Sequence, residues 1–167
     1  LHASAAMNLP QPSAEALEQS AALVARLQAL IAAEGGWIPF SSYMAETLYA
    51  PGLGYYSGGS RKFGPGGDFI TAPELTPLFG QALASQLQQV MSLSAPHIIE
   101  AGAGTGLLAA DLLLELELQG ALPESYGILE VSGELRERQF DTLAAKVPHL
   151  AGRVHWLDTL PERFSGA

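Results

Sequence analysis

Residues 97–108 read His-Ile-Ile-Glu-Ala-Gly-Ala-Gly-Thr-Gly-Leu-Leu, and this stretch constrains the fold more than any other. The β-branched pair Ile98 and Ile99 leads into a carboxylate, Glu100. Gly102, Gly104 and Gly106 then alternate with small residues, and an amphipathic run, Leu107 to Leu118, follows at once. A buried strand that enters a glycine-rich turn and continues as a helix is the first unit of a nucleotide-type binding fold. Glycine lets the backbone pass close to a ligand where a Cβ would stand in the way. The helix start behind the turn supplies N–H groups that lack intrahelical partners.

The spacing of the glycines narrows the ligand. A dinucleotide fingerprint, G-x-G-x-x-G, needs glycine at position 107, where this chain has Leu107. The pattern here is G-x-G-x-G, with an acid two places before the first glycine. That variant resembles motif I of the class I S-adenosylmethionine (SAM) methyltransferases. A sulfonium ligand carries no pyrophosphate, so such a turn serves close approach to its amino-acid and ribose moieties, whose donors suit a nearby acid. Taken alone, the three glycines also fit a plain tight turn between strand and helix.

Composition removes other classes. Eight basic against seventeen acidic side chains give a formal charge of −9, the wrong sign for a general phosphate-backbone binder. The chain has no cysteine, so disulfides, thiolate catalysis and cysteine metal sites are excluded. His2, His97, His149 and His155 are scattered without metal-site spacing. No apolar run approaches the ~18 residues that span a bilayer, and Leu1 to Ala6 lacks the basic start and apolar core of a signal peptide. The expectations are no nucleic acid, no membrane, no metal and a cytoplasmic location. At 167 residues, 48% of them hydrophobic, the chain can build one ordinary core.

Along the chain, Ser13 is a candidate N-cap, and Glu15 and Glu18 favour the helix start that follows it. Leu17, Val24, Leu27 and Ile31 recur at helical spacing up to Gly35-Gly36, which predicts a packing helix of roughly twenty residues. Residues 37–67 are rich in proline, glycine and aromatics, with one short helix near Ser42 to Leu48. Their aromatic content predicts an ordered, loop-rich segment, because disordered segments are aromatic-poor. Thr76-Pro77 opens a helix through about Met91. After the central unit, Tyr126 to Val131 reads as a strand, Gly133 to Lys146 as a helix and Arg153 to Trp156 as a third strand. Residues 97–156 therefore read β-α-β-α-β, a parallel sheet. The division expected is an N-terminal helical and loop-rich extension over 1–92 and the first half of a Rossmann-like domain over 93–167.

Glu130 stands at the end of the second strand, where an acid in nucleotide-type folds accepts hydrogen bonds from ribose hydroxyls. Asp158, just after the third strand, could meet an adenine amino group or be a plain surface residue. No Ser-His-Asp signature is present.

Three blocks together resemble the MidA-like family of SAM-dependent methyltransferases, which includes mitochondrial complex I assembly factors. The first is Ile38-Pro39-Phe40-x-x-Tyr43-Met44 with Leu48-Tyr49-x-Pro51-Gly52-x-Gly54-Tyr55-Tyr56. The second is Gly67-Asp68-Phe69-Ile70-Thr71-Ala72-Pro73-Glu74 with Phe79-Gly80. The third joins Glu100, Gly102, Gly104 and Gly106 to Glu130-Val131-Ser132 and Leu135-Arg136. The resemblance implies a class I SAM-methyltransferase (Rossmann-like) α/β fold, S-adenosyl-L-methionine as cofactor and a protein substrate. The family's mitochondrial members methylate an arginine of a respiratory complex I subunit. By the same likeness, Glu100, Gly102, Gly104 and Gly106 would hold the methionine and ribose side of the cofactor, and Glu130 the ribose hydroxyls. Asp68, Thr71 and Glu74 would form a loop over the cofactor or substrate entrance, and Asp68 or Glu74 could orient a guanidinium. No catalytic base is named, since methyl transfer from a sulfonium is mostly a matter of positioning.

Members of that family run past the point where this chain stops, so the expectation is an incomplete sheet, inactive alone. The first strand would then lie on an edge, open to homodimerisation or strand exchange. Two rival functions share parts of the pattern: an NAD(P)-dependent oxidoreductase, and a non-catalytic assembly or scaffold protein that keeps the fold.

Overall fold

The computed structural model describes residues 11–58 and 70–167. The chain divides into two compact units, Leu1–Gly58 and Gly59–Ala167.

In the first unit, helix α1 spans Ala14–Ala33, and the Ser13 hydroxyl accepts the Ala16 amide at 3.2 Å as the expected N-cap. Gly35 and Gly36, at φ 78° and 98°, turn the chain out of it. Helix α2, Phe40–Tyr49, begins directly after Pro39, two residues before the start expected near Ser42. The Arg26 guanidinium grips the Glu46 carboxylate at 2.5 and 3.3 Å, which ties α1 to α2 and holds the Glu46 carboxyl below its usual range. Residues 50–57 fold back on α2. The Tyr55 and Tyr56 amides donate to the Thr47 and Leu48 carbonyls at 2.9 and 2.8 Å. A Cβ on Gly54 would lie 2.6 Å from the Tyr49 and Ala50 nitrogens, so only glycine admits this close return.

The second unit carries the sheet. Its elements in order are helix α3 (Ala72–Leu75), helix α4 (Leu78–Leu93), strand β1 (His97–Ala101) and helix α5 (Leu107–Leu118). Strand β2 (Ser125–Leu129), helix α6 (Gly133–Lys146), a 3₁₀ turn (Ala151–Arg153) and strand β3 (Val154–Leu157) follow. The strands pair in parallel in the order β1-β2-β3, with Ile98 opposite Tyr126 and Tyr126 opposite Val154. The β-α-β-α-β reading is therefore the architecture found, and the fold is α/β. Helix α3 is too short to show an apolar period, although Thr71, Pro73 and Glu74 are residues of a helix start.

Helix α5 departs from the expectation of an amphipathic helix. Ala109, Ala110, Asp111, Leu112, Leu113 and Leu116 are all buried, so most of its circumference faces protein. It packs between α4 on one side and α6 on another. Gly80 sets the α4 approach, since a Cβ there would stand 2.9 Å from the Asp111 Cβ. Ile98, Tyr126 and Ile128 of the sheet close the core beneath α5.

Strand β1 is an edge of the three-stranded sheet, as the incomplete fold implies. That edge is not bare. The Ala167 amide donates to the His97 carbonyl and the Ala167 carbonyl accepts the Ile99 amide, both at 2.9 Å. This pair of bonds places Ala167 alongside Ile98 in the parallel sense.

Candidate functional site

The C-terminal end of β1 runs straight into the glycine turn, which forces the chain through left-handed backbone three times. Gly102, Gly104 and Gly106 have φ of 69°, 55° and 81°, a region that disfavours any residue with a Cβ. Their surroundings differ. A Cβ on Gly102 or Gly104 would meet nothing within 4 Å, so both face open space. A Cβ on Gly106 would lie 3.0 Å from the Gln139 Cα, so this glycine serves the close packing of α6 on the turn. Gly106 is also the N-cap of α5, with no side chain capping the helix start.

The open space is a cavity of about 350 Å³, within the range of small-molecule sites. Its lining includes Glu100, Gly102, Gly104, Leu107, Thr71 and Glu74. Residues from two of the three sequence blocks thus share one wall. The link is a hydrogen bond from the Thr105 hydroxyl to Glu74 Oε1 at 2.5 Å, which fastens α3 over the glycine turn. Asp68, expected in the same loop, lies outside the described residues.

Glu100 is the acid of the cavity wall. Its Oε2 accepts the Tyr126 hydroxyl at 2.8 Å. Burial raises the Glu100 carboxyl above its ordinary pKa, and the Tyr126 hydrogen bond works in the opposite direction. Tyr126 is pushed well above the usual phenol value by its own burial, then by the charge and hydrogen bond of Glu100.

Glu130 is not part of that wall. It is 5% exposed, with Oε1 accepting the Ser132 amide at 3.0 Å and Oε2 accepting Gln139 Nε2 at 3.1 Å. The same Gln139 nitrogen donates to the Gly104 carbonyl at 3.1 Å, and the Trp156 indole donates to Gln139 Oε1 at 2.8 Å. One glutamine therefore joins the acid at the end of β2 to the glycine turn after β1. Arg136 closes the neighbouring strand ends, donating to the Glu130 carbonyl at 2.7 Å and the Leu157 carbonyl at 3.1 Å. It also pairs with the exposed Asp158 at 2.8 Å.

Sequence reasoning missed Thr105, Tyr126 and Gln139. Thr105 sits between two of the motif glycines, where a hydroxyl is a visible hint. Tyr126 and Gln139 carry no local signal, since one acts through strand register and the other through helix packing.

Comparison with known proteins decides the family. Residues 78–167 match the family model described as "Putative S-adenosyl-L-methionine-dependent methyltransferase". The chain belongs to this family. Among solved structures, a candidate methyl transferase from Burkholderia thailandensis bound to S-adenosyl-homocysteine is 56% identical, with a TM-score of 0.82. The match covers 95% of this chain and 42% of that one. A native crystal structure of an uncharacterised superfamily protein from the same organism is 54% identical, with a TM-score of 0.77, over 95% of this chain and 40% of that one. The curated relatives include "Protein arginine methyltransferase NDUFAF7, mitochondrial" of Danio rerio, 38% identical over 65% of this chain and 27% of the relative. The Drosophila melanogaster homologue is 38% identical over 62% of this chain and 24% of its own length. The chain thus spans about a quarter of the length of these curated relatives. The MidA-like resemblance and the class I methyltransferase fold both agree with these matches.

Proposed function

We propose that this chain forms the cofactor-binding part of a SAM-dependent methyltransferase whose substrate is an arginine of a protein, linked to respiratory complex I assembly. The observation that carries the reading is the cavity at the glycine turn. Two left-handed glycines open onto it, and the Glu100 carboxylate lies in its wall. The protein 56% identical to this chain was crystallised with S-adenosyl-homocysteine, the product such a cavity would hold. Leu107, in the same wall, occupies the place where a dinucleotide fingerprint needs glycine.

The cofactor supplies an electrophilic methyl group on a sulfonium. The chain supplies position. Gly102 and Gly104 admit the ligand against the backbone, and Glu100 accepts hydrogen bonds from its amino-acid and ribose side. Glu130, braced by Ser132 and Gln139, retains lone pairs on both carboxylate oxygens for ribose hydroxyls. Thr71 and Glu74 would border the side where substrate approaches; Thr105 holds Glu74 Oε1, and Glu74 Oε2 is available to a guanidinium. The arginine substrate rests on the names of the curated relatives.

The division into an extension over 1–92 and a cofactor-binding half over 93–167 is a proposal about roles rather than compact units. Self-association through the β1 edge is likewise proposed. A cytoplasmic location is proposed against relatives named mitochondrial, and fractionation of native cells decides it. Among the described residues, no helix is long and apolar enough to cross a membrane.

The test is thermal shift with SAM, S-adenosylhomocysteine and NAD on the protein with its native flanking sequence. Stabilisation by the first two is expected, and stabilisation by NAD alone overturns the reading. Methyl transfer is then checked by S-adenosylhomocysteine release with cell lysate as acceptor. Cofactor binding without any release would leave a scaffold that keeps the fold.

A further inference from the structure

We infer that Tyr126, inside the core and outside the cavity wall, is a positioning residue for the cofactor: its hydroxyl holds Glu100 Oε2 and so aims Oε1 into the cavity. The inference rests on the methyltransferase reading and deepens it.

The register makes the contact possible. Tyr126 lies opposite Ile98, so its ring shares a sheet face with Glu100, one diagonal step along β1. Tyr126 is fully buried, and a buried hydroxyl must find a partner. The partner is Glu100 Oε2, at 2.8 Å. Glu100 Oε1 has no hydrogen-bond partner among the described residues, and it is not among the sealed, unsatisfied atoms. Because Glu100 lines the cavity, the unpaired oxygen is the one a ligand donor can reach. A carboxylate held at one oxygen loses its rotational freedom before the ligand arrives, which is how preorganisation raises affinity.

The same bond ties ligand binding to proton binding. Tyr126 donates best to the ionised carboxylate, opposing the burial that favours its neutral form. Among the described residues, few other charged groups face Glu100. Glu74, on α3, shares the cavity wall, with Oε1 engaged by Thr105. Helix α4 carries no charged residue, and β2 contributes only Tyr126 among titratable side chains. The first charge on α5 is Asp111, 3.8 Å from Lys146. Arg163, His97 and His155 line a different cavity with Ile99 and Gly127.

The experiment is calorimetric titration of S-adenosylhomocysteine into the protein with its native flanking sequence, from mildly acidic to mildly alkaline pH. Wild type, Tyr126→Phe, Glu100→Gln and the double variant are compared, each first checked for folding by circular dichroism. The ligand's own titrations are common to all four and cancel between them. Wild-type affinity should fall as acid protonates Glu100. In Y126F that fall should begin at higher pH, with binding about tenfold weaker than wild type on the acid limb, the worth of one hydrogen bond to a charged group. The gap should narrow as pH rises without closing, because the ionised carboxylate has still lost the bond that holds Oε2. In the E100Q background, Y126F should change nothing. Profiles for wild type and Y126F offset by a constant factor at every pH would overturn the inference and leave the methyltransferase reading intact. So would an equal Y126F loss in the E100Q background. If wild type binds no S-adenosylhomocysteine at any pH, the parent reading fails, and the inference with it. A Y126F protein that does not fold is replaced by measuring the Glu100 carboxyl titration by NMR in wild type with and without ligand. Uptake of no protons on acid titration of that carboxyl over the range where affinity falls overturns it equally.

Discussion

Three glycines two residues apart look equivalent in sequence, yet they answer two different demands. Gly106 has both a left-handed backbone and the Gln139 Cα 3.0 Å from where its Cβ would stand. Gly106→Ala should destabilise the fold by about 2–3 kcal/mol, from backbone strain and overpacking together. Gly102 has the strain without the neighbour. Gly102→Ala should cost about 1–2 kcal/mol and show its larger effect on cofactor affinity. Urea unfolding beside S-adenosylhomocysteine titration separates the two, and an equal stability loss in both would refute the distinction. Glu100 shows the opposite trade. Its folded pKa is raised by burial above the ordinary 4.5, so the native state binds the proton more tightly than the unfolded chain. The stability linked to that proton is complete below the unfolded pKa and is lost as pH rises through the folded one. Without ligand, Glu100→Gln should remove this decline and be at least as stable as wild type at neutral pH, while binding cofactor more weakly. Unfolding midpoints measured across pH check it; a variant that keeps the wild-type slope would remove Glu100 as its source.

At the scale of elements, sequence legibility followed the range of the forces. Local signals were readable: the Ser13 cap, the positive-φ glycines and the alternation of strand and helix after His97 all follow from neighbours along the chain. Helix α5 is not the amphipathic helix expected over Leu107 to Leu118, since most of its residues face protein. Packing against α4 buries even Asp111. Helix α3 has the residues of a helix start in Thr71, Pro73 and Glu74 but no apolar period, and the Thr105 hydroxyl fastens it to the glycine turn. The site was legible in its acid and glycines, while Tyr126 and Gln139 needed the register and the α6 docking. That view of α3 makes a prediction. Thr105→Val keeps the volume and removes the hydroxyl, at a cost of about 1 kcal/mol. The Glu74 and Thr76 amides, which close α3 onto Thr71 and Ala72, should then exchange hydrogen faster. The amides of α4 should keep their protection. Unchanged exchange at Glu74 and Thr76 would mean that α3 stands without Thr105.

For the whole sheet, the question is what completes the edge of β1, the strand that delivers Glu100 and the glycine turn. Parallel strands are usually flanked on both sides, and an open edge invites pairing with another chain. Ala167 meets part of that need by bonding to His97 and Ile99, and Gly166 is the residue that lets it arrive. Gly166 has φ 150°, and a Cβ there would fall 2.2 Å from the His97 carbonyl oxygen. No side chain fits between two backbones at that distance. Gly166→Ala should therefore lift the segment off β1, while α5, β2 and α6, which make no contact with it through that bond, stay folded. Two readouts follow from one cause. The Ile99 amide should lose its protection from exchange, because its acceptor is the Ala167 carbonyl. Sedimentation should show more self-association with rising concentration, because the uncovered edge is free to pair with a second copy. Retained protection at Ile99 would show that the segment tolerates the Cβ. Lost protection in a strictly monomeric protein would show that the edge of β1 is no docking strand, and would end the case for exchange through it.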